Sequence, residues 1–252
     1  MVLPMSVEVR ASLVLVAFAA LHMRRRFTIA DYNDFKSLTD TVARQRFFRS
    51  RLWKSALMLG VASLFGLLVV GRLDALWTMP PEFAGVPAST SRYFEPAFLP
   101  VLITLVGLAI SGRPRGGGRR KARYVCDIEA LLPWNNAERF WAVLLSLDAG
   151  VSEELFFRLL VPLLLVIITK QAGFAFVATC VLFGLGHAYQ GRAGIVGATV
   201  AGLLLTLVYI ASGSIWWAVA WHAAIDLNAL ILRPLLEAGL RRVVSEVVRW
   251  LQ

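Results

Sequence analysis

The sequence predicts an all-α polytopic membrane helical bundle of about seven transmembrane helices, and three observations carry the prediction. Hydrophobic residues make up 58% of the 252 positions, and the mean hydropathy is +0.67, far above the apolar usage of a soluble domain. Apolar runs recur along the chain at lengths near the 20 or so residues that a helix needs to cross hydrocarbon. Lys and Arg concentrate between those runs, which is the distribution that orients membrane spans. The formal net charge of +10 is therefore read as topological, and nucleic acid is not expected as a partner. Cys126 lies in a loop and Cys180 in an apolar run, so neither a disulfide framework nor a thiolate metal site is indicated.

The first apolar run, Ala11 to Met23, is short and must recruit residues around Glu8 and Arg10 to cross. Arg24-Arg25-Arg26 follow it where a signal peptide would carry a small-residue cleavage site, so it reads as a retained helix. Nine Lys or Arg stand between Arg24 and Lys54 against Asp31, Asp34 and Asp40. That loop is expected on the cytoplasmic side, its basic residues topogenic and its second half amphipathic. A second span is expected from Ser55 to Leu73, followed by an irregular external loop through Met79-Pro80-Pro81 and Gly85-Val86-Pro87. The third, Phe94 to Ile110, ends at a flexible basic loop, Arg113 to Lys121.

Asn135 to Leu147 reads as an interfacial amphipathic helix, with Trp134 and Trp141 near its start. Asp148, Gly150 and Ser152 then interrupt the pattern, and Ser152 is expected to cap a new helix beginning at Glu153. Its carboxylates would suit the helix dipole. This fourth span runs to Ile168, Lys170-Gln171 turn outside, and the fifth span covers Phe174 to Tyr189. Gly184 and Gly186 in it are read as permitting close helix approach. Gln190-Gly191-Arg192 turn back on the cytoplasmic side, and Ile195 to Ile210 form the sixth span, with Gly197, Ala201 and Gly202 as packing residues. The seventh runs from Ser214 to Leu232, and Arg233, Arg241, Arg242 and Arg249 follow on an amphipathic C-terminal helix. With the N-terminus outside, every basic loop falls inside.

Ionisable groups in a span are costly, about 2.5 to 3.5 kcal/mol each at mid-membrane, and they mark functional sites by default. Glu153, Glu154 and Arg158 fall within six residues, and His187 and His222 belong to the same depth zone. Residues four apart share a helix face, which pairs Glu154 with Arg158, Phe183 with His187, and His222 with Asp226. Adjacent Glu153 and Glu154 point about 100° apart. Glu154 with Arg158 is read as a structural ion pair, and Glu153 as the carboxylate that faces the cavity as a general base.

Glu-Glu-x-x-x-Arg at 153 to 158, Phe-x-x-x-His at 183 to 187 and His-x-x-x-Asp at 222 to 226 follow one another on successive helices. In that order they resemble the CPBP family of intramembrane proteases, which includes type II CAAX prenyl endopeptidases and bacterial Abi proteins. The resemblance runs from Asn135 to Leu232. It implies a catalytic core in 135–252 and N-terminal transmembrane helices and basic loops in 1–134. It further implies that Glu153 activates water, that His187 positions or activates it, and that His222 with Asp226 stabilises the oxyanion. Glu154 and Arg158 would shape the site, with Phe183 as a wall.

The implied partners are a membrane-anchored peptide or protein substrate and the lipid bilayer. The expected location is a bacterial plasma membrane, with the C-terminus cytoplasmic. Two residues depart from the family pattern: Leu159 stands where Gly is usual, and Asp226 where many members have Asn. An ionised aspartate cannot donate to an oxyanion, so Asp226 either carries a proton or orients His222. No cofactor is favoured. Zinc would take Glu153, His187 and His222, but no His-Glu-x-x-His pair lies on one helix and a glutamate-activated water needs no metal. A non-catalytic immunity or scaffold protein and a proton-coupled transporter are the alternatives, the latter opposed by the lack of an inverted repeat with matched broken helices.

Overall fold

The computed structural model describes residues 5–25, 27–84 and 127–236, with residues 238, 239, 246 and 249 beyond them. Every regular element among these is helical. The expected third span, the basic loop from Arg113, Cys126, and Arg241 and Arg242 lie outside the described residues.

Helix α1 is Val7–Arg25. Helix α2, Ile29–Ser37, opens on a capping box in which Thr28 Oγ1 accepts from the Asp31 amide and the Asp31 carboxylate accepts from the Thr28 amide. Asp40 caps helix α3, Thr41–Val70, its carboxylate accepting from the Ala43 amide at 2.8 Å. Helix α3 then continues to Val70, where Gly71 stops it with φ +74°. The amphipathic second half of the loop and the second span are thus one helix, because no residue between Lys54 and Ala56 breaks the ladder. A wide π-helical turn over Ala56–Val61 is the only irregularity in it.

Helix α4, Asn136–Glu154, is capped by Asn135, whose Oδ1 accepts from the Glu138 amide at 2.9 Å. It runs unbroken through Asp148, Gly150 and Ser152 into a π-helical turn, Leu155–Leu160, and on into α5, Val161–Thr169. The expected helix start at Glu153 is therefore corrected. Ser152 caps nothing, and its hydroxyl donates to Asp148 Oδ1 one turn back at 2.8 Å. The wide turn has a local cause in Pro162, which lacks an amide to donate and crowds the carbonyl one turn earlier; widening the turn before it relieves that crowding.

Lys170, at φ +60°, ends α5. Helices α6 (Ala172–Gly186) and α7 (Gly191–Ser212) follow, and α8 is Ile215–Leu236. Helices α3 and α8, and the segment Ala188–Ser212 that contains α7, are long and apolar enough to cross a membrane; α6 is apolar but shorter.

The α4–α5 helix is the axis of the bundle. Leu159, Leu160, Leu163 and Leu164 are fully buried, surrounded by Ala11 and Val14 of α1, Leu67 of α3, Phe176 of α6 and Leu205 of α7. Phe174, Val177, Val181 and Leu185 form an exposed stripe along α6 at helical spacing, the kind of face that hydrocarbon covers. Lipid supplies no hydrophobic drive between helices, so close approach at small residues has to hold them. A Cβ on Gly150 would stand 2.9 Å from both Ala223 Cβ and the Val219 carbonyl of α8, and one on Gly184 would collide with Thr199 of α7. Gly186 meets nothing within 4 Å, so the close-approach expectation holds at Gly184 and fails at Gly186.

A second aromatic cluster joins Tyr32 and Phe35 of α2 to Phe48 of α3, with Phe27, Phe47, Trp141 and Tyr189 around it. Beside it, Arg44 and Glu138 are 1% and 0% exposed and stand 3.1 Å apart. Arg44 also donates to the Ala130 and Leu132 carbonyls. Glu138 accepts from Thr41 Oγ1 at 2.7 Å and from the Trp134 amide at 2.9 Å. Arg44 is thus not a solvated topogenic charge but a bolt between α3 and the start of α4, satisfied on all sides as a buried charge must be.

Candidate active site

The close crossing of α4 and α8 at Gly150 decides which carboxylate meets which histidine. Glu154 lies one turn beyond Gly150, on the face turned to α8, and is completely buried. Its Oε1 is 3.0 Å from Arg158 Nη1 and 2.6 Å from His222 Nδ1. An ionised carboxylate only accepts, so Nδ1 carries the proton in this bond. The pairing with Arg158 follows from spacing, whereas the bond to His222 has no counterpart in the sequence reading, which matches His222 with Asp226. A small residue one turn before a glutamate that leads into an apolar run is the one signal that could have revealed it.

The other ring nitrogen of His222 faces two carboxylates at equal range. Glu153 Oε2 and Asp226 Oδ2 each lie 3.9 Å from Nε2. Neither is a direct hydrogen bond, and gaps of this width between polar groups are those that a bridging water fills. Exposure rises outward, from 7% for the His222 side chain to 21% for Glu153 and 34% for Asp226. The pocket is therefore closed at Glu154 and open at Asp226. Glu154 makes the direct hydrogen bond to the His222 ring, at 2.6 Å, whereas Asp226 stands 3.9 Å from it.

His187 sits just past the last residue of α6, with a non-helical backbone at φ −95° and ψ 15°. Its Nδ1 is 2.9 Å from the Phe183 carbonyl. That acceptor takes the Nδ1 proton, so Nε2 is the nitrogen left for the site. Phe183 links the two histidines: its ring centroid is 4.7 Å from that of His187 and 5.7 Å from that of His222. The Arg158 guanidinium lies 4.0 Å over the same ring. Arg158 is 1% exposed and makes no well-angled hydrogen bond among the described residues, so it is held by its ion contact with Glu154 and by the face of Phe183. Gly202 gives it room, since a Cβ there would stand 3.2 Å from Arg158 Nη2.

The structure thus brings Glu153, Glu154, Arg158, His222 and Asp226 into one cluster and joins His187 to it through Phe183. Among the described residues no group of three or more His, Cys, Asp or Glu side chains is arranged to hold a metal ion. Glu153, His187 and His222, the set that zinc would require, do not form such a group. What the cluster offers is a carboxylate and an imidazole nitrogen facing across one water-sized gap, with a second carboxylate beside them. Sequence reasoning also missed Tyr189, whose ring stacks on His187 at 6.0 Å and 27°; its place directly after the histidine turn was the available signal.

Residues 135–228 match the family described as type II CAAX prenyl endopeptidase Rce1-like, part of the CPBP and CAAX protease group. The match contains all three motifs and lies within the span over which they resemble that group. No curated protein and no solved structure matches the chain.

Proposed function

We propose that this chain is an intramembrane endopeptidase that hydrolyses a peptide bond of a membrane-anchored protein or peptide near the cytoplasmic side of the bilayer. One observation carries the reading: Glu153 and Asp226 flank His222 Nε2 at 3.9 Å each, while Glu154 holds the opposite nitrogen at 2.6 Å. The family match supports protease chemistry. The motif residues supply a base, donors and a partly exposed mouth.

In this reading a water sits between Glu153 and His222. Glu153 takes its proton as the oxygen attacks the substrate carbonyl carbon; a C–O bond forms and the carbonyl π electrons move onto oxygen. His222, steered by Glu154, stabilises the oxyanion as the imidazolium, donating from Nε2 while Nδ1 donates to Glu154, together with Asp226, which is a donor when it carries a proton. His187 positions the water through Nε2. The intermediate then collapses, the C–N bond breaks, and Glu153 returns its proton to the leaving amine. Arg158, 3.0 Å from Glu154, is its counter-charge and holds it in place. Residues 135–252 form the catalytic core and residues 1–134 its supporting helices, with seven spans and the C-terminus in the cytoplasm of a bacterial cell.

The test is proteolysis of a membrane-peptide library by the purified protein in nanodiscs. Wild type is compared with Glu153→Gln and His187→Ala, each with and without a chelator. Cleavage lost in both variants and unaffected by the chelator is the expected result, and the cut sites then define the substrate. Inhibition by the chelator that zinc reverses would replace the mechanism with a metal-dependent one. Equal cleavage by all three proteins would mean a contaminant and would remove the reading.

A further inference from the structure

His187 lies beyond the end of its helix, and α6 holds its ring through one bond to the Phe183 carbonyl and through the Phe183 ring, whose centroid is 4.7 Å away. A second ring flanks it, that of Tyr189. Tyr189 is in turn packed edge-on by Phe27, with centroids 4.8 Å apart, and by Tyr32 at 5.2 Å. The Arg51 guanidinium lies 4.1 Å over Phe27.

A polar chain runs parallel to this stack. The Tyr189 hydroxyl accepts from Gln190 Nε2 at 3.0 Å. The Gln190 carbonyl accepts from the Asp127 amide at 3.2 Å, and the Asp127 carbonyl accepts from the Tyr32 hydroxyl at 2.7 Å. The Asp127 carboxylate pairs with Lys36. Burial, and then the Asp127 charge, push the Tyr32 phenol up from its ordinary value, which keeps it a donor. Phe27, Tyr32, Lys36, Arg51 and Asp127 all precede the matched segment 135–228.

We propose that Tyr189 is a positioning residue for His187, and that the α2–α3 hairpin is a built-in part of the site which holds Tyr189 against it through Phe27 and Tyr32. Phe183 bounds the His187 ring from α6 and Tyr189 bounds it from the turn that follows, so the two rings together set its placement, and placement of this kind is worth about 100-fold in rate per ångström of error. The proposal rests on the reading of His187 as the group that positions water.

The experiment compares wild type in nanodiscs with Tyr189→Leu, Tyr189→Phe and Phe27→Ala. Trp53→Ala, on the same hairpin but 67% exposed, is the control. Steady-state cleavage of the best library peptide is measured beside the ring-nitrogen NMR signals of His187, assigned through His187→Ala. Tyr189→Leu and Phe27→Ala are expected to lower kcat about 10- to 100-fold with KM changed less than about threefold, the pattern of lost transition-state placement. The His187 signals should shift or broaden in both. Tyr189→Phe should keep most of the rate, and Trp53→Ala should behave as wild type. Wild-type kcat with unchanged His187 signals in Tyr189→Leu would overturn the proposal, as would a rate loss fully explained by a lower folded fraction with those signals unchanged. If no protein cleaves, wild type included, but the His187 signals still move in Tyr189→Leu, the positioning stands and the protease reading falls.

Discussion

Glu154→Gln separates the two tasks that one side chain performs. Glutamine keeps the volume and an acceptor oxygen, so packing hardly changes and the quantity lost is charge. That charge is answered by Arg158 at 3.0 Å and by His222 at 2.6 Å, all three side chains being at most 7% exposed. Stranding one partner of a buried pair costs about 3 to 5 kcal/mol. The lower end applies because Arg158 keeps the Phe183 face at 4.0 Å, a contact worth about 2 kcal/mol when desolvated. A loss of about 3 kcal/mol lowers Tm by about 6 to 12 °C in a chain of this size.

The companion variant is Arg158→Met, and the double variant carries no charge at either position. Its apolar side chain still packs on Phe183, so the double variant should be less damaged than the sum of the singles, with a coupling of about 2 kcal/mol. Thermal unfolding in one fixed nanodisc composition measures this. Cleavage measured in parallel should stay lost in the double variant, because His222 has no carboxylate on Nδ1 there. Singles that add to within about 0.5 kcal/mol, or recovery of cleavage in the double variant, would refute the account of Glu154 as both counter-charge and orienting group.

Three further outcomes are expected. Gly150→Ala places a methyl 2.9 Å from the Val219 carbonyl, so α8 must shift; overpacking of this kind costs about 1 to 3 kcal/mol and moves His222 away from Glu153. Cleavage should fall while Gly173→Ala, into open space, leaves it unchanged. Arg44→Met should cost about 3 to 5 kcal/mol in thermal unfolding by stranding Glu138, and Arg44→Lys should not rescue it, since an ammonium cannot fork to Glu138 and two carbonyls at once. The bonds from the Thr28 hydroxyl and amide hold the Asp31 carboxyl below its ordinary value. Its folded pKa is lower than its unfolded one, so the cap's stabilisation is full above about pH 4 and is lost as pH falls through the folded value. Amide exchange in the first turn of α2, corrected for intrinsic rates, should quicken on acidification below that point in wild type and not in Asp31→Asn.

The all-helical class was legible because hydrophobic length and loop charge are additive along the chain. The i,i+4 pairing of Glu154 with Arg158 was legible for a similar reason: helical geometry acts within a few residues. Both are local properties, and local physics is what a string of residues displays. The helix boundary at Glu153 was misread where local cues compete. Ser152 is a good cap and Gly150 a poor helix former, but the packing of Gly150 on α8 and the bond from Ser152 back to Asp148 outweigh both.

Composition and spacing by themselves determined that charges in the apolar helices must be paired, and they named the residues available to do it. Tertiary structure decided the partners. His222 turns to Glu154 rather than Asp226, Arg44 locks α3 to α4 instead of facing solvent, and Tyr189 links His187 to a hairpin more than a hundred residues earlier. Each of these contacts depends on where two helices cross, and a crossing is set by close packing of side chains from distant parts of the chain, which no spacing within one helix encodes.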